Sequence, residues 1–456
     1  MNAFRRIVNA ASGMHPSSRS VLSSGVKVAL FAIAAKLFTV LREASLAYRY
    51  GTGVEIDAFN MAFTVSTWLP VLLVSIASTG LVPLLVASVR DPIEHRRMLA
   101  ELNATAVLVA ILLCAVALAI APWASSMITG AKTSTTLELT HDMIRQMAPV
   151  AGLGVLAGYL AARLQAQQRY AYTLGEAFPP LGVALSALLP IQWNGGWTLT
   201  TGLLVGTAVQ LVFLIRLLSR SDDTLGGFSL RFTSKQWPLI RGAVGTLAIG
   251  AAVLWITVPV EQAFAARLGT GAVASLNYAN RLIGMGTSIA TLVIARALLP
   301  FFAANAADGI SSRRQAWSWT WVCAAAGVAT VAASWFLIEP AVRLLLQRGS
   351  FNQNDTATVE ILIKIGILQL PLFFASTAMV QWMAATGQYR SISIIAAITV
   401  MFKISLLYIL VPRFGLSALM ISTVGMYAVS LICQMYMTIR PEISSLFRTK
   451  AGKHNL

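Results

Sequence analysis

The sequence predicts an all-α, polytopic membrane protein, with about 12 transmembrane helices in two parallel six-helix lobes around a central cationic cavity. Three observations lead there. Of 456 residues, 57% are hydrophobic and only 11% are charged, at a mean hydropathy of +0.72, whereas an ordinary soluble domain carries about 25% charge. The apolar residues fall in runs of roughly 20, enough to cross a hydrocarbon core of about 30 Å as helix. Basic residues are shared unequally between alternate connections, as the positive-inside rule demands. A soluble fold is excluded.

Residues 1–23 form a basic tail with Arg5, Arg6 and Arg19, and no small-residue cleavage pattern follows it, so the first apolar run reads as a retained helix rather than a signal peptide. Twelve runs follow, near 24–48, 58–89, 99–128, 143–165, 176–193, 197–219, 238–262, 272–304, 316–338, 357–386, 391–412 and 415–438. The fifth is short and holds Pro179-Pro180, which predicts a kink. The second and eighth exceed thirty residues and should tilt or project. Pro70, Pro83, Pro300 and Pro371 fall inside long runs, where they can bend cavity-lining helices. On this map 24–219 is an N-lobe, 220–237 a cytoplasmic linker, 238–438 a C-lobe and 439–456 a second basic cytoplasmic tail.

The net charge of +17 is a matter of topology, not of nucleic-acid binding. Of 34 Lys and Arg residues, 21 lie in connections on the side of the two tails and 7 on the opposite side, which puts both termini in the cytoplasm. Six remain within or at the margins of the spans: Lys36, Arg42, Arg281, Arg296, Lys364 and Lys403. A cation at a helix centre costs about 2.5–3.5 kcal/mol on insertion scales. Arg296 and Lys403 are expected to snorkel to the headgroups. Lys36 lies about 18 Å of helix from either end of its span, too deep for that, and calls for a polar interior. Glu43, seven residues on, shares its face at about 10 Å, while Arg42 points elsewhere, so the cluster keeps an excess of positive charge.

Other chemistry has no visible constellation. Cys114, Cys323 and Cys433 are scattered through apolar runs, which indicates neither a disulfide framework nor a metal site. The four histidines lie in tails or near span ends, and no metalloprotease, nucleophile-elbow or phosphate-loop motif occurs, so neither an enzyme nor a cofactor is expected.

The two halves repeat. Arg49-Tyr-Gly-Thr-Gly53 returns as Arg267-Leu-Gly-Thr-Gly271, offset by 218, and Leu81-Val-Pro-Leu-Leu-Val-Ala87 returns as Leu298-Leu-Pro-Phe-Phe-Ala-Ala304, offset by 217. An even number of helices per unit gives both the same orientation, and a cavity between them would house the interior cations. The Arg-x-Gly-Thr-Gly turns themselves should shape loops rather than bind ligands.

Three stretches carry a family resemblance. The first is Lys36-Leu-Phe-Thr-Val-Leu-Arg-Glu43 with Tyr50-Gly-Thr-Gly53 and Asp57-Ala-Phe-Asn-Met-Ala-Phe63. The second is Ser275-Leu-Asn-Tyr-Ala-Asn-Arg-Leu282 through Ala297-Leu-Leu-Pro300, and the third Arg348-Gly-Ser-Phe-Asn-Gln-Asn-Asp-Thr-Ala357. The chain resembles the MviN/MurJ family of the multidrug/oligosaccharidyl-lipid/polysaccharide exporter superfamily. The resemblance implies a flippase of the bacterial inner membrane. Its partners would be an undecaprenyl-diphosphate-linked saccharide such as lipid II, the bilayer and envelope-synthesis proteins, with no nucleic acid. It also implies that Lys36, Arg42 and Arg281 bind the diphosphate, with Glu43 and Asp57 as the acids that accompany them. From the residues themselves Lys364 is a further candidate cavity group, and Glu43, Asp57 and Glu176 are candidate coupling carboxylates that lie close enough to span ends to be solvated or to cap helices instead. Coupling would be to membrane potential, Na⁺ or H⁺, with no cofactor. Two departures stand out. The family's second helix usually carries an arginine pair and an acid, where this chain reads uncharged from Trp68 to Gly80. The family also usually continues to fourteen helices, against twelve runs here. An exopolysaccharide or O-antigen repeat-unit flippase, and a non-transporting scaffold, remain alternatives.

Overall fold

The computed structural model describes residues 16–76, 80–89, 91–129, 134–189, 196–219, 227–238, 252–307 and 313–439. Among them every regular element is helical. In the first half these are α1 (Pro16–Tyr50), α2 (Val54–Ile76), α3 (Val82–Ser88), α4 (Pro92–Thr129), α5 (Ser134–Ala166), a 3₁₀ turn at Tyr170–Ala177, α6 (Phe178–Leu188) and α7 (Trp197–Ser219). The second half has α8 (Thr257–Ala266), α9 (Ala272–Ala307), α10 (Arg313–Trp335), α11 (Ile338–Leu345), α12 (Gln353–Gly366), α13 (Gln369–Ala385), α14 (Tyr389–Phe414) and α15 (Ser417–Ile439). Eight helices among the described residues are long and apolar enough to cross a membrane, or nine when α12 and α13, bent by 40° at their junction, are counted as one broken span. The protein is an all-α integral membrane protein.

Several expected spans take a different form, for local reasons. Pro179-Pro180 do not kink the fifth helix; they start it, at positions whose missing N–H groups have no intrahelical partner to lose. The preceding residues turn as the 3₁₀ segment. Of the second span, α2 is described as far as Ile76 and α3 begins at Val82 with Pro83 in its first turn, residues 77–79 lying outside the described residues. The tenth breaks between Gly366 and Gln369, just ahead of Pro371, which cannot donate the helical hydrogen bond. Most of the expected seventh span lies outside the described residues, and α8 is its end. The C-terminal basic tail falls outside them beyond Ile439, and of the N-terminal one residues 1–15 do, whereas 16–23, expected as tail, are the start of α1.

The helices group into two compact units, each discontinuous in sequence. The first comprises residues 1–45, 69–118 and 146–245; the second comprises 46–68, 119–145 and 246–456. The expected lobes were sequential, but 46–68 and 119–145 of the first six spans group with the second unit, and the expected linker with the first.

In the first unit, Leu85, Met98, Leu99, Leu102, Leu160, Leu164, Leu214 and Leu218 form one buried cluster joining α3, α4, α5 and α7. Lipid tails are as apolar as leucine, so close packing rather than water exclusion holds such contacts within the bilayer. The crossing of α6 and α7 shows how: a methyl group added at Gly206 would lie 2.5 Å from the Phe178 carbonyl oxygen, and one at Gly182 would lie 2.3 Å from that of Gly202. Gly202 and Gly206 form the small-xxx-small spacing that lets two backbones touch. In the second unit α13 is central, packing against α9, α10 and α15.

Candidate functional site

The first unit holds Lys36, Arg42, Glu43 and Glu176. Lys36 is solvent-exposed on α1, and it interacts electrostatically with Glu176 in the 3₁₀ turn. Arg42 and Glu43 are both buried and form an ion pair, with Arg42 Nε donating to Glu43 Oε1 at 3.1 Å. Neighbouring side chains leave a helix about 100° apart, which is why Arg42 was expected to point away. The long arginine stem folds across that angle, and the carboxylate expected to face Lys36 is engaged by Arg42 instead.

The second unit holds Arg281, Asp57 and Lys364. Arg281, half-buried on α9, places its guanidinium 5.7 Å from the centre of the Phe63 ring, a cation–π contact. Lys364 donates to Glu360 at 2.5 Å, one helical turn away, and lies 5.9 Å from the Trp335 ring centre. Asp57 is wholly buried and caps α9: Oδ2 accepts from the Gly271 amide at 2.7 Å and Oδ1 from the Ala274 amide at 2.8 Å. A carboxylate at a helix N-terminus satisfies orphan amides and opposes the helix dipole.

That cap belongs to a larger knot. Three loops of the second unit meet there: the Gly51 turn, the Gly271 turn and the Arg348–Phe351 turn. The Ser350 amide donates to the Tyr48 carbonyl at 2.9 Å, the Tyr278 hydroxyl to the Gly51 carbonyl at 3.0 Å, and Thr52 Oγ1 to Asp355 Oδ1 at 2.6 Å. Asp355 also completes a reciprocal capping box with Asn352 at the start of α12. The Tyr278 and Phe351 rings meet edge to face at 5.6 Å. Gly349, at φ +60°, brings its backbone so close to Tyr48 that an added methyl would lie 2.1 Å from the carbonyl oxygen. Burial, and after it the Glu55 carboxylate, push the nearby Tyr50 phenol up from its ordinary value of 10.0. Parts of all three stretches that carry the resemblance, Gly51 to Asp57, Tyr278 and Arg348 to Asp355, therefore meet in this knot, and its role is to hold loops and helix ends together.

Other polar residues escaped sequence reasoning. Lys403 does not snorkel: it is buried, paired with Glu261 of α8, and Thr423 of α15 donates to that carboxylate at 3.2 Å. The sign that could have found the pair is one acid and one base inside otherwise apolar spans, which membrane helices bring together. Arg163 sits at the end of its span like a loop cation but is buried; it donates to Asn103 Oδ1 at 3.2 Å and lies 5.9 Å from the Tyr159 ring centre. Glu101, fully buried on α4, accepts from the Thr233 and Ser234 amides and the Trp237 indole, at 2.6, 3.1 and 2.7 Å. Among the described residues no His/Cys/Asp/Glu cluster could hold a metal ion.

Comparison with known proteins agrees with this architecture. The sequence profile of the family described as "Lipid II flippase MurJ" matches residues 46–453. A relative from Rhizobium meliloti (strain 1021), named "Probable lipid II flippase MurJ", is 26% identical over 412 residues, covering 85% of this chain and 75% of the relative. A solved structure of lipid II flippase MurJ in an inward closed conformation superposes with a TM-score of 0.79 at 16% identity, over 92% of this chain and 89% of that one. An inward-facing multidrug resistance MATE family transporter of the MOP superfamily gives 0.74 at 14% identity, over 92% of this chain and 100% of the other. At those identities the structural likeness is one of fold; the profile match, running through the knot and nearly to the end of the chain, carries membership. The chain belongs to the lipid II flippase MurJ family.

Proposed function

We propose that this protein moves a lipid-diphosphate-linked saccharide, lipid II or a related cell-envelope precursor, from the inner to the outer leaflet of the bacterial inner membrane, with both termini in the cytoplasm. Within the family assignment, the observation that carries this reading is Lys36: an ammonium exposed in the middle of a long helix, where a membrane protein keeps a cation only for an anion or for water. A diphosphate headgroup carries about two negative charges, and charge-assisted hydrogen bonds from Lys36 and Arg281 offset part of its desolvation. Arg42 contributes less, because Glu43 already balances it. The prenyl tail stays in lipid throughout. Alternating access exposes the headgroup to one side of the membrane at a time. An inside-negative potential favours outward movement of each negative charge by about 2.3 kcal/mol per 100 mV, unless a bound cation travels with it.

The test is complementation of a bacterium whose own lipid II flippase can be shut off, with insertion checked by immunoblot. Growth is expected for the wild-type chain and for Lys36→Arg, and loss of growth for Lys36→Ala and Arg281→Ala at normal membrane levels. Growth of both alanine variants would refute the diphosphate role. Failure of the inserted wild-type chain would remove lipid II in favour of another lipid-linked saccharide or a scaffold role.

A further inference from the structure

We propose that residues 227–238, the described part of the segment after α7, form an anchor in the membrane interface. Phe228, Leu230 and Phe232 would lie at the boundary between headgroups and acyl chains, and Arg231 and Lys235 against anionic lipid phosphates.

The depth of this segment follows from its partners on α4. The Asn103 side-chain amide donates to the Gly227 carbonyl at 3.3 Å, and the Ser229 amide to the Ala100 carbonyl at 3.1 Å. Glu101 takes the Thr233 and Ser234 amides, the Thr233 hydroxyl and the Trp237 indole. Glu94 takes the Ser234 hydroxyl and the Lys235 amide, each at 2.7 Å. These partners cover residues 94–103, about 13 Å of helix axis. Glu101 is the last charged residue of α4; from Leu102 to Thr129 the helix has none. The segment therefore runs beside the place where α4 passes from charged to apolar sequence, which is where a spanning helix meets the headgroups.

Its outer surface suits that place. Phe228 is 72% exposed, Leu230 60% and Phe232 47%. Phe232 has φ +51°, a conformation that side chains other than glycine rarely adopt. It is followed at once by the two amides that enter Glu101, and its ring meets Trp237 at 5.2 Å. Glu101 is turned onto backbone amides, a hydroxyl and an indole, and Glu94 onto a hydroxyl, an amide and the Arg97 guanidinium at 4.0 Å, while Arg231, Lys235 and Arg96 remain exposed. The exposed face thus combines large apolar side chains with an excess of positive charge, Arg231, Lys235 and Arg96 outnumbering the exposed Asp91, the combination that binds an anionic leaflet.

Spin labelling of the full-length protein tests the anchor, in a background with Cys114, Cys323 and Cys433 replaced by serine. Nitroxides would be placed singly at Phe228→Cys, Leu230→Cys, Arg231→Cys and Lys235→Cys, in phosphatidylcholine vesicles with and without phosphatidylglycerol. Collision with oxygen relative to a water-soluble nickel chelate should be several-fold higher at 228 and 230 than at 231 and 235. Phosphatidylglycerol should deepen 228 and 230, and high salt should reverse that gain. Nickel-dominated collisions at all four positions would overturn the proposal. If those labels were shielded only in native membranes, the face would belong to a protein partner instead. Equal depth with and without phosphatidylglycerol would remove the role assigned to Arg231 and Lys235.

Discussion

Asp57 gives the clearest contrast between a coupling carboxylate and a structural one. Its two oxygens accept amides of the α9 N-terminus at 2.7 and 2.8 Å from a wholly buried position. Asp57→Ala leaves both buried amides without that acceptor. Each abandoned buried donor costs about 1–3 kcal/mol, and the lost charge at the helix terminus about 0.3–1 kcal/mol more. The expected destabilisation is therefore roughly 2–7 kcal/mol. Asp57→Asn keeps the shape and one acceptor oxygen but turns an NH₂ toward the second amide, so it should cost about half as much. The assay is the temperature at which detergent-solubilised protein ceases to be monodisperse. At about 2 °C per kcal/mol for a large domain, Asp57→Ala should lower it by roughly 4–14 °C, and Asp57→Asn by less. Transport by the folded fraction of Asp57→Asn should persist. Unchanged thermal stability together with abolished transport would refute the capping argument and restore Asp57 as a coupling group.

Three further outcomes are expected. Lys403→Met and Glu261→Gln should each destabilise by about 3–5 kcal/mol, because each strands a buried charge, while the double variant should recover most of the loss; a thermal double-mutant cycle without coupling would contradict the pairing. Gly349→Ala should reduce the folded yield severely, since its methyl meets the Tyr48 carbonyl, whereas Gly387→Ala, at φ +74° with open space around it, should cost only about 1–2 kcal/mol; comparison of detergent-extracted yields separates them. Glu101→Ala removes one carboxylate from several donors, each such bond worth about 1.5–3 kcal/mol, so tryptic cleavage after Arg231 and Lys235 should accelerate at least about tenfold; an unchanged rate would mean the segment is held by other contacts.

Some polar residues were legible as sites but not as arrangements. Lys36 stands out because nothing nearby in sequence can neutralise it, and the structure leaves it exposed. Lys403 stands out equally, yet its partner Glu261 lies on a helix far earlier in the chain. No spacing rule connects the two, because side-chain periodicity reports neighbours within one helix only. Asp57 looked like a helix-end carboxylate, but the helix it caps, α9, begins more than two hundred residues later.

The sequence by itself determined that the chain is all-helical and membrane-spanning, and roughly where its helices run. Hydropathy, charge asymmetry and turn glycines are local properties, and a bilayer permits few ways to satisfy a backbone within it. The tertiary structure alone decided which charges are spent on one another, which acids cap helices or grip the 227–238 segment, and how three distant loops meet in one knot. Those outcomes depend on which helices become neighbours, and in lipid that choice rests on close backbone approach and polar pairing, whose partners are scattered along the chain.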